Sequence, residues 1–352
     1  MDQFRRTLLA AALASPALGA LARVRKKKVR ADDVPEAFIY GARDDVMHFA
    51  DELAAARGLD AAWVREQLAQ ARYQPQVAKL IMPPPPGTAK NWAAYRARFV
   101  EPKRLRAGLA FWAANEAWLT LAQDRFGVPP FAVIGIIGVE TFFGQQMGRF
   151  RVIDALATLA FDFPPGRKDR SAFFRDELGE LLALAQRASV DPLSLLGSYA
   201  GAMGMPQFMP SSHNKYAIDF DGDGHIDLHA STADVIGSVA HYLAEFGWQR
   251  ERPTHFEVAA PVEVADRAAL LVPDIVPSFT PAQFAEHGAK LEEAAQAYDG
   301  LLALIELQNG DNAAASYVAG TMNFYAITRY NWSAYYAMAV IELGRAIERV
   351  RA

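Results

Sequence analysis

The chain has 352 residues, 52% of them hydrophobic and 22% charged, with 36 Lys and Arg against 40 Asp and Glu. That length is a prior of roughly two domains of about 150 residues each, and the composition suits a chain that buries a core rather than one that stays disordered. A net charge of −4 argues against nucleic acid as a partner, and the absence of cysteine excludes disulfides, thiolate metal sites, cysteine nucleophiles and lipid attachment through Cys.

Residues 1–22 start with a short basic stretch containing Arg5 and Arg6, run on from Leu8 with almost no polar group, and end in Ala20-Leu21-Ala22. This is the pattern of an export signal. Its apolar run of about 15 residues is shorter than the roughly 20 that span a bilayer, so no stable membrane span is expected. The Arg5-Arg6 pair is a weak sign of twin-arginine export. Arg23, Arg25, Lys26, Lys27, Lys28 and Arg30 follow at once. Such a cluster opposes simple translocation, and residues 23–35 read as a solvated, disordered segment.

The Ala/Leu-rich pattern over 46–72 predicts an amphipathic helix that ends before Pro75, and 91–126 reads as further helices, giving an N-terminal helical domain over 36–125. Pro83 to Pro86 with Gly87 form a hard break between them. Val128-Pro129-Pro130 opens a new helix, because proline is tolerated in the first turn. Residues 172–188 and 232–247 are amphipathic as well, and 126–247 is expected to form the core of the molecule. After Trp248 short alternating runs lie between Pro253, Pro261, Pro273 and Pro277. They predict a small mixed insert over 248–318, with strands at 255–258, 262–264, 270–272 and 301–308 and a short helix over 281–287. Residues 333–350 form a final helix, which rejoins the core from 319 to 352. The expected class is mainly α with a small β-containing insert.

Chemistry centres on Glu140. Val133, Ile136, Ile137 and Glu140 are spaced i, i+3, i+4, i+7 and share one helical face, the one expected to be buried. A carboxyl at the end of an apolar stripe is partly desolvated, which raises its pKa and suits it to act as a general acid. Gly144 is the expected helix stop, with Phe142 and Phe143 placed to wall a site. From spacing alone, a glutamate that simply reaches solvent or an arginine remains open.

The run from Ile136-Ile137-Gly-Val-Glu-Thr to Met147-Gly148 is followed by Ile153-Asp-Ala-Leu-Ala-Thr-Leu. Next comes Gly197-Ser-Tyr-Ala-Gly-Ala-Met-Gly-Met-Pro-Gln-Phe-Met-Pro-Ser-Ser, then Asp219-Phe-Asp-Gly-Asp-Gly-His-Ile-Asp, then Asn323-Phe-Tyr-Ala-Ile-Thr-Arg-Tyr-Asn. This series, from about 92 to 350 and thinning over 250–318, resembles the lytic murein transglycosylase B family. The resemblance implies a lysozyme-like catalytic core and cleavage of the β-1,4 bond between N-acetylmuramic acid and N-acetylglucosamine, leaving 1,6-anhydromuramoyl ends. It assigns Glu140 as the single acid and base. It carries Ser198, Gln207, Tyr330, Asn331, Tyr242, Tyr336 and Tyr95 over to substrate binding. It also implies an exported, periplasmic protein whose partner is the glycan strand of peptidoglycan, with cell-wall synthesis or remodelling proteins as further partners.

The chain departs from the family at Pro206, where glycine is common, and at Phe142-Phe143, where Arg-Trp is common. Residues 164–170 are longer than the family's Pro-Arg-Arg turn; Arg170 is the nearest match to its second arginine, and Arg167 or Lys168 stands for the first. These cations suit lactyl or peptide carboxylates. A second site lies at Asp219, Asp221 and Asp223, positions 1, 3 and 5 of a loop with Gly224 at 6, the His225 carbonyl at 7 and Asp227 at 9. Position 12 is Ala230 rather than Glu, and the resemblance supplies Asp234 as the late ligand of a variant EF-hand. Oxygen ligands favour Ca2+ in a structural role. Two alternatives stand beside the transglycosylase: an inactive peptidoglycan-binding or scaffold protein, and a muramidase-type hydrolase.

Overall fold

The computed structural model describes residues 38–83, 90–311 and 313–351. The expected export signal, the basic run and most of the proline break lie outside the described residues. The described chain is mainly helical and divides into two compact units, each made from two stretches: 38–83 with 147–215, and 90–146 with 216–351. Among the described residues no helix is long and apolar enough to cross a membrane.

In the first of these units, helices Asp44–Arg57, Ala61–Ala69 and Pro75–Leu80 pack with Val152–Phe161 and Ser171–Ala188 around Tyr40, Val46, Leu68, Leu156, Phe174 and Leu181. The single helix expected over 46–72 is two. Gly58 closes the first in a left-handed conformation at φ 65°, and the Asp60 side chain caps the second by accepting from the Trp63 N–H. The Val152–Phe161 helix carries two buried polar groups that tie the stretches together. Asp154 accepts from the Arg72 N–H at 2.9 Å while Arg151 pairs with it, and the Thr158 hydroxyl accepts from the Gln74 N–H. Each buried acceptor thus has a backbone donor, as burial requires.

In the other unit, helices Trp92–Ala97, Pro102–Ala114 and Glu116–Phe126 pack near Pro130–Thr141, and Ala334–Arg351 runs against that central helix. The expected boundary at 125 therefore does not coincide with a break between compact units, because the helices before it pack on the ones after it. The contact is backbone to backbone at two glycines. A Cβ on Gly135 would sit 2.2 Å from the Val340 carbonyl oxygen, and one on Gly344 would sit 2.0 Å from that of Phe131. The central helix is buried at every position from Phe131 to Thr141, rather than on the one face that the spacing suggested. A helix that is apolar all round belongs inside a core.

The insert has its own core of Phe256, Leu270, Phe284, Leu302, Leu304 and Ala319 under a four-stranded antiparallel sheet. Its strand order is Lys290–Leu291, His255–Ala259, Ser316–Gly320, Ala303–Leu307. The strands expected at 262–264 and 270–272 are instead loop and helix, with a helix at Val264–Leu271. Leu270 is buried while Val262, Val264 and Val272 are exposed, so the apolar alternation there has no partner strand to satisfy. Helix Pro281–Glu286 forms where expected, with Thr280 and Gln283 in a reciprocal capping box.

Candidate active site

The central helix stops one residue after Glu140, at Thr141, not at Gly144. Phe142 and Phe143 adopt left-handed φ values of 53° and 56°, and their N–H groups bond back to the Gly138 and Ile137 carbonyls. Non-glycine residues pay for such a conformation through packing. The Phe142 ring lies under the charged groups of Lys103 and Arg104, at 5.4 and 4.8 Å. The Phe143 ring packs on Phe111 and against Gly108 and Gly138, where a Cβ would come within about 3 Å of it. The two phenylalanines expected to wall a site therefore anchor the helix end that carries Glu140.

Glu140 is only 7% exposed. One carboxyl oxygen, Oε1, accepts a hydrogen bond from the Tyr336 hydroxyl at 2.6 Å. Burial pushes the Glu140 pKa up to about 8, against the Tyr336 bond, which pulls it down. No acidic neighbour contributes to that shift. Tyr336 stacks on Tyr330 with centroids 6.4 Å apart, and Tyr330 meets Tyr242 at 4.7 Å. The Tyr242 hydroxyl donates to the Arg329 carbonyl, while Asn331 ends the helix that carries Tyr330 and is nearly buried. Tyr95 packs among Trp92, Phe99 and Tyr335. Burial first, and then the Glu140 charge, hold the hydroxyls of Tyr95, Tyr330 and Tyr336 in the protonated form. Four tyrosines named from the sequence, Tyr95, Tyr242, Tyr330 and Tyr336, thus gather with Glu140 in one unit. Tyr335 and Arg104 join this neighbourhood without having been singled out; the Tyr335-Tyr336 doublet opening the last helix was the available signal for the first.

Ser198, Gln207 and Arg170 belong to the other unit. Ser198 Oγ accepts from the Ala200 and Ala202 N–H groups at 3.3 and 3.0 Å and so shapes the Gly/Met-rich loop. Gln207 sits at φ 52° with its amide donating to the Met147 and Gly204 carbonyls. Arg170 is 8% exposed, and none of its guanidinium nitrogens has a hydrogen-bond partner. It lies over the Phe173 ring at 4.6 Å, and burial, helped by Arg167, lowers its pKa to about 10. The Glu177 charge acts against that lowering, but no acceptor is hydrogen-bonded to the guanidinium, which leaves its donors open to an anion. Arg167 instead donates to the Ile81 carbonyl.

In the loop at 219–234, Asp219, Asp221 and Asp223 bring one carboxylate oxygen each to within 4.8 Å of one another. Asp219 accepts from the N–H groups of Gly222, Asp223 and Gly224, and Asp223 from that of His225. Asp234 is buried and its two oxygens accept from the Phe220 and Asp227 N–H groups, which fastens the loop to helix Thr232–Glu245. Three convergent hard oxygens with a glycine turn fit Ca2+ far better than a transition metal.

Comparison with known proteins identifies the family of the chain. The family model described as the transglycosylase SLT domain matches residues 41–345. The chain is 38% identical over 315 residues to the membrane-bound lytic murein transglycosylase B of Escherichia coli K12, covering 87% of this chain and 83% of that protein. It is similar to the soluble lytic transglycosylase SltB1 from Pseudomonas aeruginosa, at 38% identity and a TM-score of 0.78 over 87% of this chain and 99% of the other. It also resembles the Escherichia coli lytic transglycosylase Slt35, whose structure was solved in complex with calcium. There the identity is 35% and the TM-score 0.76, over 92% and 98% of the two chains. The lysozyme-like, mainly helical class expected from the sequence is the one that these relatives share. The buried glutamate, its tyrosines and the ordered motifs thus lie in a chain that belongs to the lytic murein transglycosylase B family, the lyases that act on peptidoglycan.

Proposed function

We propose that this protein cleaves the β-1,4 bond between N-acetylmuramic acid and N-acetylglucosamine in peptidoglycan without water, leaving a 1,6-anhydromuramoyl end. What supports this reading is the buried Glu140, whose pKa is pushed up to about 8 with no acidic neighbour among the described residues contributing to the shift. Hydrolytic glycosidases pair two carboxylates; here one group serves twice. Neutral Glu140 donates its proton to the glycosidic oxygen as the C1–O bond breaks. The substrate acetamido group steadies the positive charge at C1. The carboxylate formed then takes the proton from the C6 hydroxyl as that oxygen bonds to C1, which returns Glu140 to its starting form. Exclusion of water favours ring closure over hydrolysis.

The Tyr336 hydrogen bond holds Glu140 in place and stabilises the ionised half of the cycle. Tyr95, Tyr242 and Tyr330 offer ring faces and hydroxyls to sugars, with Asn331, Ser198 and Gln207 as hydrogen-bonding partners for acetamido and hydroxyl groups. Arg170 takes a carboxylate of the lactyl or peptide portion, an assignment supported by a guanidinium that makes no hydrogen bond. Calcium, when bound by Asp219, Asp221, Asp223 and the His225 carbonyl, supplies charge neutralisation that fixes the loop, with Asp234 tying the loop to its helix. The protein acts in the periplasm on glycan strands. Digestion of purified peptidoglycan with mass analysis of the ends tests the reading: anhydromuramoyl ends support it and reducing muramic ends refute it. Glu140→Gln keeps glycan binding and loses turnover by at least a hundredfold, the usual order for a general acid/base.

A further inference from the structure

A cavity of about 230 Å³ lies where the insert strand Ala303–Leu307 and the segment after helix Val264–Leu271 meet the first turn of the last helix. Lys90, Asp274, Ile275, Glu306, Gln308 and Tyr335 line it. Its position follows from two adjacent residues. Tyr336 hydrogen-bonds the catalytic carboxyl, while Tyr335 forms the cavity wall and packs edge-on against Tyr95, ring centroids 6.0 Å apart. The wall is fixed. The Tyr335 hydroxyl accepts from the Gln308 N–H at 2.7 Å, and the Gln308 carbonyl accepts from the Trp92 N–H at 2.7 Å, tying the insert to the helix that carries Tyr95.

The chemistry of the lining is mixed and specific. Glu306 is half-buried and held by the Tyr317 hydroxyl at 2.7 Å and the Gln308 amide at 3.1 Å, which leaves acceptor positions on a carboxylate that has about four. Asp274 is exposed and sits at φ 59°, a left-handed conformation uncommon for a residue with a side chain. The Lys90 ammonium lies over the Tyr335 ring, 5.9 Å from its centroid. Glu306, Asp274 and Lys90 thus line, together with apolar Ile275, a space smaller than the roughly 300–1,000 Å³ of whole-ligand pockets. Such a space takes one side chain that carries both signs of charge.

We infer that this cavity is a subsite for the peptide stem of peptidoglycan, receiving a diamino acid whose free ammonium meets Glu306 and Asp274 and whose carboxylate meets Lys90. The inference rests on the peptidoglycan reading above. The test uses soluble peptide-bearing glycan chains with free stem amines, and the same material N-acetylated so that only the ammonium is lost. For the native protein, KM for acetylated chains rises about five- to tenfold with kcat little changed, as a partly exposed charge-assisted hydrogen bond implies. In Glu306→Gln, which keeps an acceptor for Tyr317, and in Asp274→Asn at the exposed rim, that KM ratio falls toward one. Lys90→Met raises KM for both materials. A native ratio of one, or an undiminished ratio in both acid variants with folding confirmed by circular dichroism, overturns the subsite. Failure of the native protein to cleave either material overturns the proposed function instead.

Discussion

Replacing Tyr336 with Phe isolates one hydrogen bond and reads it on the Glu140 proton. The Tyr336 hydroxyl donates to Glu140 at 2.6 Å in a buried setting, so it stabilises the carboxylate over the neutral acid. A hydrogen bond to a charged group is worth roughly 1.5–3 kcal/mol, and about 1.36 kcal/mol corresponds to one pKa unit. Its removal therefore raises the Glu140 pKa from about 8 by about one to two units. The sign is fixed: losing a partner of the ionised form favours the protonated form. Because the proposed first step needs Glu140 protonated, the alkaline limb of the kcat profile is expected to move to higher pH by that amount, while kcat near neutrality falls because the proposed second step loses its stabilised carboxylate. The assay is release of soluble muropeptides from peptidoglycan between pH 5 and about 10.5, the upper end set by the expected limb. An alkaline limb that stays in place or moves to lower pH in folded Tyr336→Phe would show that this bond does not set the acidity of Glu140.

Three further outcomes follow from the packing and the charges. Gly344→Ala gains up to about 1 kcal/mol in helix propensity, yet its Cβ would meet the Phe131 carbonyl oxygen at 2.0 Å; the net result is a loss of about 1–3 kcal/mol in chemical denaturation. Arg170→Met removes a buried charge that makes no hydrogen bond and has Glu177 as its acidic neighbour. It stabilises the fold by about 1–2 kcal/mol after the lost stacking on Phe173 is subtracted, and it raises KM on peptide-bearing glycan; unchanged KM with unchanged stability contradicts both parts. Chelation lowers Tm, and Ca2+ restores it: at a hundredfold excess over Kd the gain is about 2.7 kcal/mol. Asp221→Asn blunts that response, and an equal response to chelator in the variant removes Asp221 from the site.

Glu140 was legible because the spacing of Val133, Ile136, Ile137 and Glu140 is a local property and the helix it predicts exists at Pro130–Thr141. What periodicity could not reveal is that the helix has no exposed face, since that depends on Ala334–Arg351 packing against it from two hundred residues away. The stop at Thr141 rather than Gly144 was hidden for the same reason: Phe142 takes up a left-handed conformation under Lys103 and Arg104, which are remote in sequence. The split of 46–72 into two helices was readable in hindsight, because Gly58 and Asp60 form an ordinary stop and start. The Val264–Leu271 helix differs from the strands expected at 262–264 and 270–272 because short apolar runs do not distinguish the two periods. The site residues of the motif runs are legible only through likeness to a family, and what the structure adds is that Ser198 and Gln207 hold their own loop.

A lone carboxyl that gives a proton and takes one back is most effective when neither form is too stable. Burial alone would drive Glu140 far toward the neutral form and leave a poor base. The Tyr336 hydroxyl opposes that drive from the first turn of the last helix. The balance therefore depends on how closely two helices approach, and glycines set that approach: Gly135 and Gly344 let the backbones touch. A substitution at either glycine would push the last helix outward and lengthen the Tyr336–Glu140 bond before it unfolded anything. On the proposed mechanism the acidity of Glu140 then depends on the two glycines through that helix approach, and Gly135→Ala is expected to move the pH profile in the same direction as Tyr336→Phe.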